Sequence, residues 1–463
     1  VTDAPGGKRA WVVLPDLLSI RVFFDTGILE GLRARLHPGV AAVFLVRPDE
    51  ASEWVARLGP ETPSYQADEL STPQDGLRER VPRRLDAWLD RHAGYYPLAI
   101  RLNYRHGFHL DRMRPGHPNW MLDSARVGRL PRSEAVERAM ARWHLSTRRV
   151  VPHRLLEEMR RSCSAVVLSN VQPHAVVPYL VAARRLGLPV VGYVASWDHT
   201  VGKGIVSPYC ERYVVQNETM RDDLARYHAI EPARVTVTGW PQTDVFHRRR
   251  PRSAYDALLR RFGLDPARPL VLVMGNTPTN TPYEGRFVER LVRWWEDAGR
   301  ERFQLLFRPH PRDREWRSRF GSAAERGGVF VQEPSYTDIE DLATLLQHGD
   351  VVVANAGTIL LDAIVNDRPS VCVLYDEGAP PGESWAAMNV VGKHYEELAH
   401  SGAFYEAGEF DSVVAGIERA LASPAELGAE RAAVARSVVG DVDGRAAERV
   451  VEAIVETVRR SSP

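Results

Sequence analysis

The chain has 463 residues, 44% hydrophobic and 26% charged, with 60 basic and 60 acidic side chains. That length exceeds one ordinary core and predicts two large domains. A zero formal net charge gives no electrostatic case for a nucleic-acid partner, and no apolar run reaches the length of a membrane span. Ala10–Leu14 reads as a buried strand, followed by a loop at Pro15–Arg21 and a helix through Phe24–Leu36. Val40–Val46 is a second strand and Ala51–Leu58 a short helix. Strand, helix, strand announces an α/β domain with a parallel sheet, whose ligands sit at the carboxyl edge. Ser19, Arg21 and Asp25 are therefore candidates in the loop and helix after the first strand.

From about residue 77 to 161 the pattern is helical, and 101–161 is rich in arginine and poor in acids. This reads as a helical insertion in the first domain, with a basic face suited to an acceptor, an acidic partner or a membrane surface. Alternation resumes with strands at Ala165–Leu168, Pro189–Val194, Tyr213–Gln216 and Val235–Thr238. Between the second and third of these lies Ser196–Gly204, SWDHTVGKG. Arg248–Arg252 reads as a linker, which places a boundary near residue 250. The predicted organisation is a first domain over 1–250, a second over 251–440 and a closing helical segment over 441–463.

The second half repeats the grammar. Leu270–Met274 is a strand that ends in Gly275-Asn276-Thr277, and Gln304–Phe307 is a strand that ends in Arg308-Pro309-His310-Pro311. Val351–Ala354 runs into Asn355-Ala356-Gly357-Thr358 and a helix that opens at Ile359. Strand, small-residue turn and helix bring helix N-terminal amides onto an anion. Asn276, Thr277, Arg308, His310, Tyr336, Asn355, Gly357 and Thr358 supply amides, hydroxyls, one guanidinium, one imidazole and one aromatic ring. These strand ends carry no G-x-G-x-x-G fingerprint, no P-loop and no paired carboxylates for a diphosphate-bound metal. That pattern favours metal-independent, cofactor-free chemistry in which a nucleotide-activated donor is a co-substrate. Only three of the basic residues are lysines. Lys203, a compact point charge in a chain that otherwise writes arginine, is thus a candidate for a moving phosphate. The three cysteines, Cys163, Cys210 and Cys372, form neither a disulfide framework nor a zinc pattern, and Val1–Arg9 lacks a signal-peptide core. The expected location is the cytoplasm.

The runs Ser196–Gly204 (SWDHTVGKG), Val237–Gln242 (VTGWPQ), Arg308–Pro311 (RPHP) and the NAGT–LDA segment from Asn355 resemble a GT-B-fold group. That group includes CDP-glycerol glycerophosphotransferase-like and UDP-N-acetylglucosamine 2-epimerase-like proteins. The resemblance covers about residues 165–375. It implies two doubly wound, Rossmann-like domains facing across a cleft, with the nucleotide held by the second. Arg308 and His310 would contact donor phosphates, in the way a His-Pro histidine does in bacterial sialyltransferases. Thr358 and its neighbouring amides would cap those phosphates, and the loop Glu333–Tyr336 would lie near the base. The final helix, Gly444–Arg460, would cross back to the first domain. His199 stands where the group usually has asparagine, which marks it as an acceptor-side position.

The expected activity is glycosyl transfer from a nucleotide sugar to a hydroxyl or amine acceptor, as in an inverting GT-B enzyme. Direct displacement needs a base on the acceptor side, Asp198 first and Asp25 second, with His310 facing the donor phosphate in protonated form. The alternatives are polyol-phosphate transfer from a CDP-activated donor, sugar-nucleotide 2-epimerisation, and non-catalytic binding of a nucleotide sugar or partner.

Overall fold

A computed structural model describes residues 7–70, 151–172, 174–202, 206–278, 280–326, 328–381, 383, 385–390 and 392–461. They form two compact units. The first holds the described residues up to Asp244 and those from Arg445 onward, and the second holds Val245–Gly444. Each is a parallel α/β layer, and the two-unit chain has a GT-B-like fold.

The first unit carries a seven-stranded sheet in the order β3-β2-β1-β4-β5-β6-β7. Its strands are β1 (Arg9–Leu14), β2 (Val40–Phe44), β3 (Ser64–Gln66), β4 (Cys163–Leu168), β5 (Val190–Tyr193), β6 (Arg212–Val215) and β7 (Val235–Val237). Every pairing is parallel. Helices cover such a sheet on both faces, so β1 and β2 are unbroken apolar runs, fully buried from Ala10 to Leu14 and from Val40 to Phe44. The chain leaves β1 toward β2 and β3 and returns on the other side at β4. The ends of β1 and β4 thus form the topological switch point where open sheets of this kind take ligands.

The second unit repeats the plan with six strands in the order β10-β9-β8-β11-β12-β13. These are β8 (Leu270–Met274), β9 (Gln304–Arg308), β10 (Val329–Val331), β11 (Val351–Asn355), β12 (Ser370–Val373) and β13 (Tyr405–Ala407). Its switch point lies between β8 and β11. One face of the sheet is closed by Phe287, Leu291, Trp295, Phe303 and Phe320, and by Val413 and Ile417 from the helix Phe410–Ala422.

The closing helix, Ala446–Arg460, packs in the first unit, against the helix Ile28–Arg35 and strands β5 and β6. Asp244 caps it: its two carboxylate oxygens accept from Ala446 N at 3.1 Å and Ala447 N at 2.7 Å. Gly31 lets the helices touch, because a Cβ there would stand 2.9 Å from Val451 Cγ2.

Several local expectations change. The helix expected over Phe24–Leu36 is two helices, Leu17–Asp25 and Ile28–Arg35. Asp16 starts the first earlier by accepting from Ser19 N, and Gly27 at φ 82° breaks the run. The helix Gly428–Val434 continues as a π turn over Ala435–Val439. The three-residue edge strands β3 and β13 and the helix Trp316–Ala324 are elements the sequence reading lacked. Most of the expected insertion, residues 71–150, lies outside the described residues. Its end is the helix His153–Ser162, which buries Leu155 and Met159.

Candidate functional site

At the carboxyl edge of the second sheet, three strand ends meet. Gly275 N, just past β8, donates to Arg308 O at 2.8 Å. A Cβ on Gly275 would stand 3.1 Å from both His310 N and Pro309 Cα. Glycine is what lets the β8 and β9 loops approach this closely. The next residue, Asn276, is fixed from three sides. Its backbone N donates to Glu284 Oε1 at 2.9 Å, its Oδ1 accepts from Thr277 N at 2.7 Å, and its Nδ2 donates to Ala356 O at 3.4 Å. The last bond ties the β8 loop to the turn after β11, across the switch point.

Asn355 ends β11 with a buried side chain. Its Nδ2 donates to Val373 O at 2.7 Å and its Oδ1 accepts from Asn389 Nδ2 at 2.7 Å. The amide therefore clamps β11 to β12 and to the segment after it. Gly357 is extended, with φ at 177°, and a Cβ there would meet nothing closer than 3.9 Å. The turn does not need glycine on steric grounds. Thr358 opens the helix Thr358–Val365, whose first-turn amides lie at this edge.

His310 stands half-buried between its prolines. Its Nδ1 accepts from Arg312 N at 3.0 Å. Accepting requires a lone pair there, so the ring is in the neutral tautomer with its proton on Nε2. The sequence reading expects a protonated ring beside a donor phosphate; here the backbone of the Arg-Pro-His-Pro turn folds back onto Nδ1. Arg308 is anchored. Its guanidinium donates to Asp338 Oδ2 at 2.9 Å and to Gln332 Oε1, and its side chain is 11% exposed. Tyr336 Oη accepts from Arg312 Nε at 3.1 Å, which joins the β10 loop to the His310 turn. Glu333 pairs with Arg317 at 2.9 Å on the open surface.

Beneath these loops lies a group that sequence reading missed. Glu284, Arg319 and Asp313 form a buried ion cluster, with Glu284 and Arg319 paired at 3.0 Å. Burial pushes the Glu284 carboxyl up to about 7, against the pull of Arg319. A small pocket adjoins it, lined in part by Tyr283, Glu284, Asn355 and Asp376. Burial also raises Asp376, against the N–H groups of Ala386 and Trp385. No local motif marks Glu284 or Arg319; the only sequence signal is a glutamate in the first turn of a helix whose other side is apolar.

The first unit has its own polar edge. Asp16 accepts from Ser19 N at 2.9 Å, Ser19 Oγ at 3.0 Å and Asn170 Nδ2 at 3.1 Å, joining the loops after β1 and β4. Arg21 donates to Gln242 Oε1 at 2.7 Å, which links the first helix to the GWPQ segment. Asp25 pairs with Arg57 at 2.8 Å, and that guanidinium also stacks 4.7 Å over the Trp54 ring. Asp198 and His199 share one tight turn: Asp198 accepts from Ser196 Oγ, Gly202 N reaches Asp198 O at 2.7 Å, and His199 O accepts from Gln172 Nε2. His228 braces this stretch from below, accepting from Val206 N at 2.9 Å on Nδ1 and donating from Nε2 to Thr200 O at 2.7 Å. Lys203 lies outside the described residues. Among the described residues, no group of three or more His, Cys, Asp or Glu side chains is disposed to hold a metal ion, and no helix is long and apolar enough to cross a membrane.

Two parallel α/β units with polar loops at both switch points define the GT-B-like class. A model of the CDP-glycerol:poly(glycerophosphate) glycerophosphotransferase family matches residues 206–456, more than half of the chain, and the chain belongs to that family. The match takes in the whole second sheet and begins after the Ser196–Gly204 motif. No curated protein matches. Among solved structures, the chain is similar to the UDP-GlcNAc 2-epimerase from Neisseria meningitidis bound to UDP-GlcNAc, at 11% identity and a TM-score of 0.54, covering 97% of this chain and 100% of that one. It is similar to S. aureus MnaA in a co-structure with UDP, at 11% identity and 0.54, covering 96% of each. It is also similar to a variant of the wall teichoic acid polymerase TagF with CDPG, at 8% identity and 0.51, covering 98% of this chain and 89% of that one. These likenesses are likenesses of fold. The family match favours polyol-phosphate transfer over the glycosyl transfer expected first.

Proposed function

We propose that this chain transfers glycerol phosphate from CDP-glycerol to a hydroxyl of a poly(glycerophosphate) acceptor. The observation that carries the reading is the family match over residues 206–456, which contains the whole donor-side edge. In the reaction the acceptor oxygen attacks the phosphorus that bears glycerol. A new P–O bond forms, the P–O bond to CMP breaks, and CMP leaves with the electron pair. Such transfers depend on position and on stabilising charge over the phosphoryl oxygens.

The second unit's residues suit that task. His310 Nε2–H faces the developing charge as a neutral donor, and the Thr358 hydroxyl with the first-turn amides of its helix caps the same phosphates. Asn276 and Thr277 hold the β8 loop against them. Arg308, already engaged by Asp338, acts from one step back by shaping the β9 end. Asp376, Tyr336 and Glu333 lie on the flanking loops toward the nucleoside. On the acceptor side, Asp198 is the base that takes the hydroxyl proton, His199 and Lys203 attend the acceptor, and Ser19 and Arg21 shape the adjoining edge. Asp25 is the weaker base because it is paired with Arg57. The basic 101–161 stretch would meet the anionic polymer or the membrane surface that bears it.

The test is product analysis. Incubation with CDP-glycerol and a poly(glycerophosphate) primer should release CMP in step with polymer growth, and omission of the primer should stop it. Consumption of a nucleotide sugar instead, with CDP-glycerol untouched, would overturn the reading.

A further inference from the structure

The Glu284–Arg319–Asp313 cluster is built in an unusual way for a buried ion group. Arg319 sits on the helix Trp316–Ala324, with its side chain 11% exposed. One arm of its guanidinium pairs with the Asp313 carboxylate, which is fully buried. The other donates to Thr281 O at 3.1 Å and to Glu284 Oε2 at 3.0 Å. Each carboxylate residue then grips a different loop. Glu284 takes Asn276 N on its second oxygen at 2.9 Å. Asp313 donates its own N–H to His310 O at 2.8 Å and accepts from Glu315 N at 3.0 Å. Arg319 thus bonds both the residue that holds the β8 loop, Glu284, and the one that holds the His310 turn, Asp313.

The helix that carries it has no slack. A Cβ on Gly285 would stand 2.8 Å from Arg319 O, so the helix Glu284–Trp294 and the helix Trp316–Ala324 lie backbone to backbone at this point. A planar guanidinium with five donors can satisfy two carboxylates and a carbonyl at fixed angles, whereas an ammonium on a flexible stem does not reproduce that fork.

We infer that Arg319 is a positioning residue for transfer: it sets the His310 ring relative to the Asn276–Thr277 amides. The inference rests on the proposed donor-phosphate role of that edge. When Arg319 is replaced, Asp313 loses its anchor, the His310 turn relaxes, and the Arg312 N–H to Nδ1 bond that holds the imidazole tautomer is lost.

The test uses the full chain with Arg319→Lys and Arg319→Met, each first checked for folding by circular dichroism. The imidazole nitrogen spectrum is recorded, with the His310 signals assigned by their loss in His310→Gln. Wild type should show Nε2–H with an accepting Nδ1, and the variants a tautomer mixture. With CDP-glycerol and primer, kcat should fall about tenfold to a hundredfold in Arg319→Lys, with KM for CDP-glycerol changed less. In a His310→Ala background the same substitution should change kcat by no more than about twofold, because coupled residues are not additive. If both Arg319 variants fail to fold, Glu284→Gln serves, since it keeps an oxygen for Asn276 N and removes one carboxylate from Arg319. A folded variant with wild-type imidazole signals, or an equal loss in the His310→Ala background, overturns the inference. If wild type transfers nothing from CDP-glycerol while the imidazole signals still respond to Arg319→Lys, the donor reading fails and the positioning role stands.

Discussion

His310 carries its proton on Nε2 because the Arg312 N–H occupies Nδ1. Its proposed donor function therefore does not depend on being charged. His310→Ala should lower kcat at least a hundredfold, in the range seen when one oxyanion donor is removed, with little change in Tm since the ring is only half-buried. His310→Gln keeps an N–H of similar reach and should recover part of the rate. An equal loss in both variants would remove the donor role. Arg308 behaves differently. It is 11% exposed beside Asp338 at 16%, so Arg308→Met leaves a largely buried carboxylate without its cation. Stability should drop by about 2 kcal/mol in urea unfolding, and Asp338→Asn in the same background should restore much of it. Failure of that second change to rescue would mean that the pair is not what holds Arg308.

The helix Glu218–His228 supports the Asp198–His199 turn through one imidazole. Burial holds His228 down at about 4, against an ordinary 6.5, with the bond to Thr200 opposing the shift. Because the folded value lies below the unfolded one, the stability from this group is complete above pH 6.5. It is lost as pH falls from 6.5 toward 4, by about 3 kcal/mol in total. Asp223, on the same helix, accepts from Thr200 Oγ1 at 2.8 Å and keeps one tie to the segment. Thermal melts across that window should show the loss in wild type and a flatter profile in His228→Gln; equal slopes would contradict the assignment.

Much of the element plan was legible because buried parallel strands are continuous apolar runs, and the chain writes β1, β2, β8, β9 and β11 that way. β3 and β13 were not, since Ser64–Gln66 and Tyr405–Ala407 are short and carry no apolar run. Among site positions, the proline-flanked His310 and the Asn355–Thr358 turn stand out locally. The engagement of Arg308 by Asp338 and of Arg319 by Glu284 depends on side chains 30 and 35 residues apart, and no local pattern announces them.

At the scale of the molecule, one chain builds two sheets of the same plan and then returns its last helix to the first. Gly31 and Asp244 make that return specific. Gly31→Leu would drive a side chain into Val451, which a Cβ alone would approach at 2.9 Å. Overpacking of this kind costs about 1–3 kcal/mol. The loss should fall on the first unit, so hydrogen exchange should speed up in β1 and β4 while β8 and β11 keep wild-type protection. Equal loss in both sheets would mean that the units do not open separately.

Family membership places the chain among transferases, and the proposed donor edge of the second unit would offer neutral donors to a phosphoryl group. The most direct measurement follows glycerol-labelled CDP-glycerol with a poly(glycerophosphate) primer, in wild type and in His310→Ala. Label should enter the polymer with one CMP released per glycerol phosphate added, and His310→Ala should lower both at least a hundredfold. Label that stays in CDP-glycerol while a nucleotide sugar is consumed, or a His310→Ala rate equal to wild type, would contradict it.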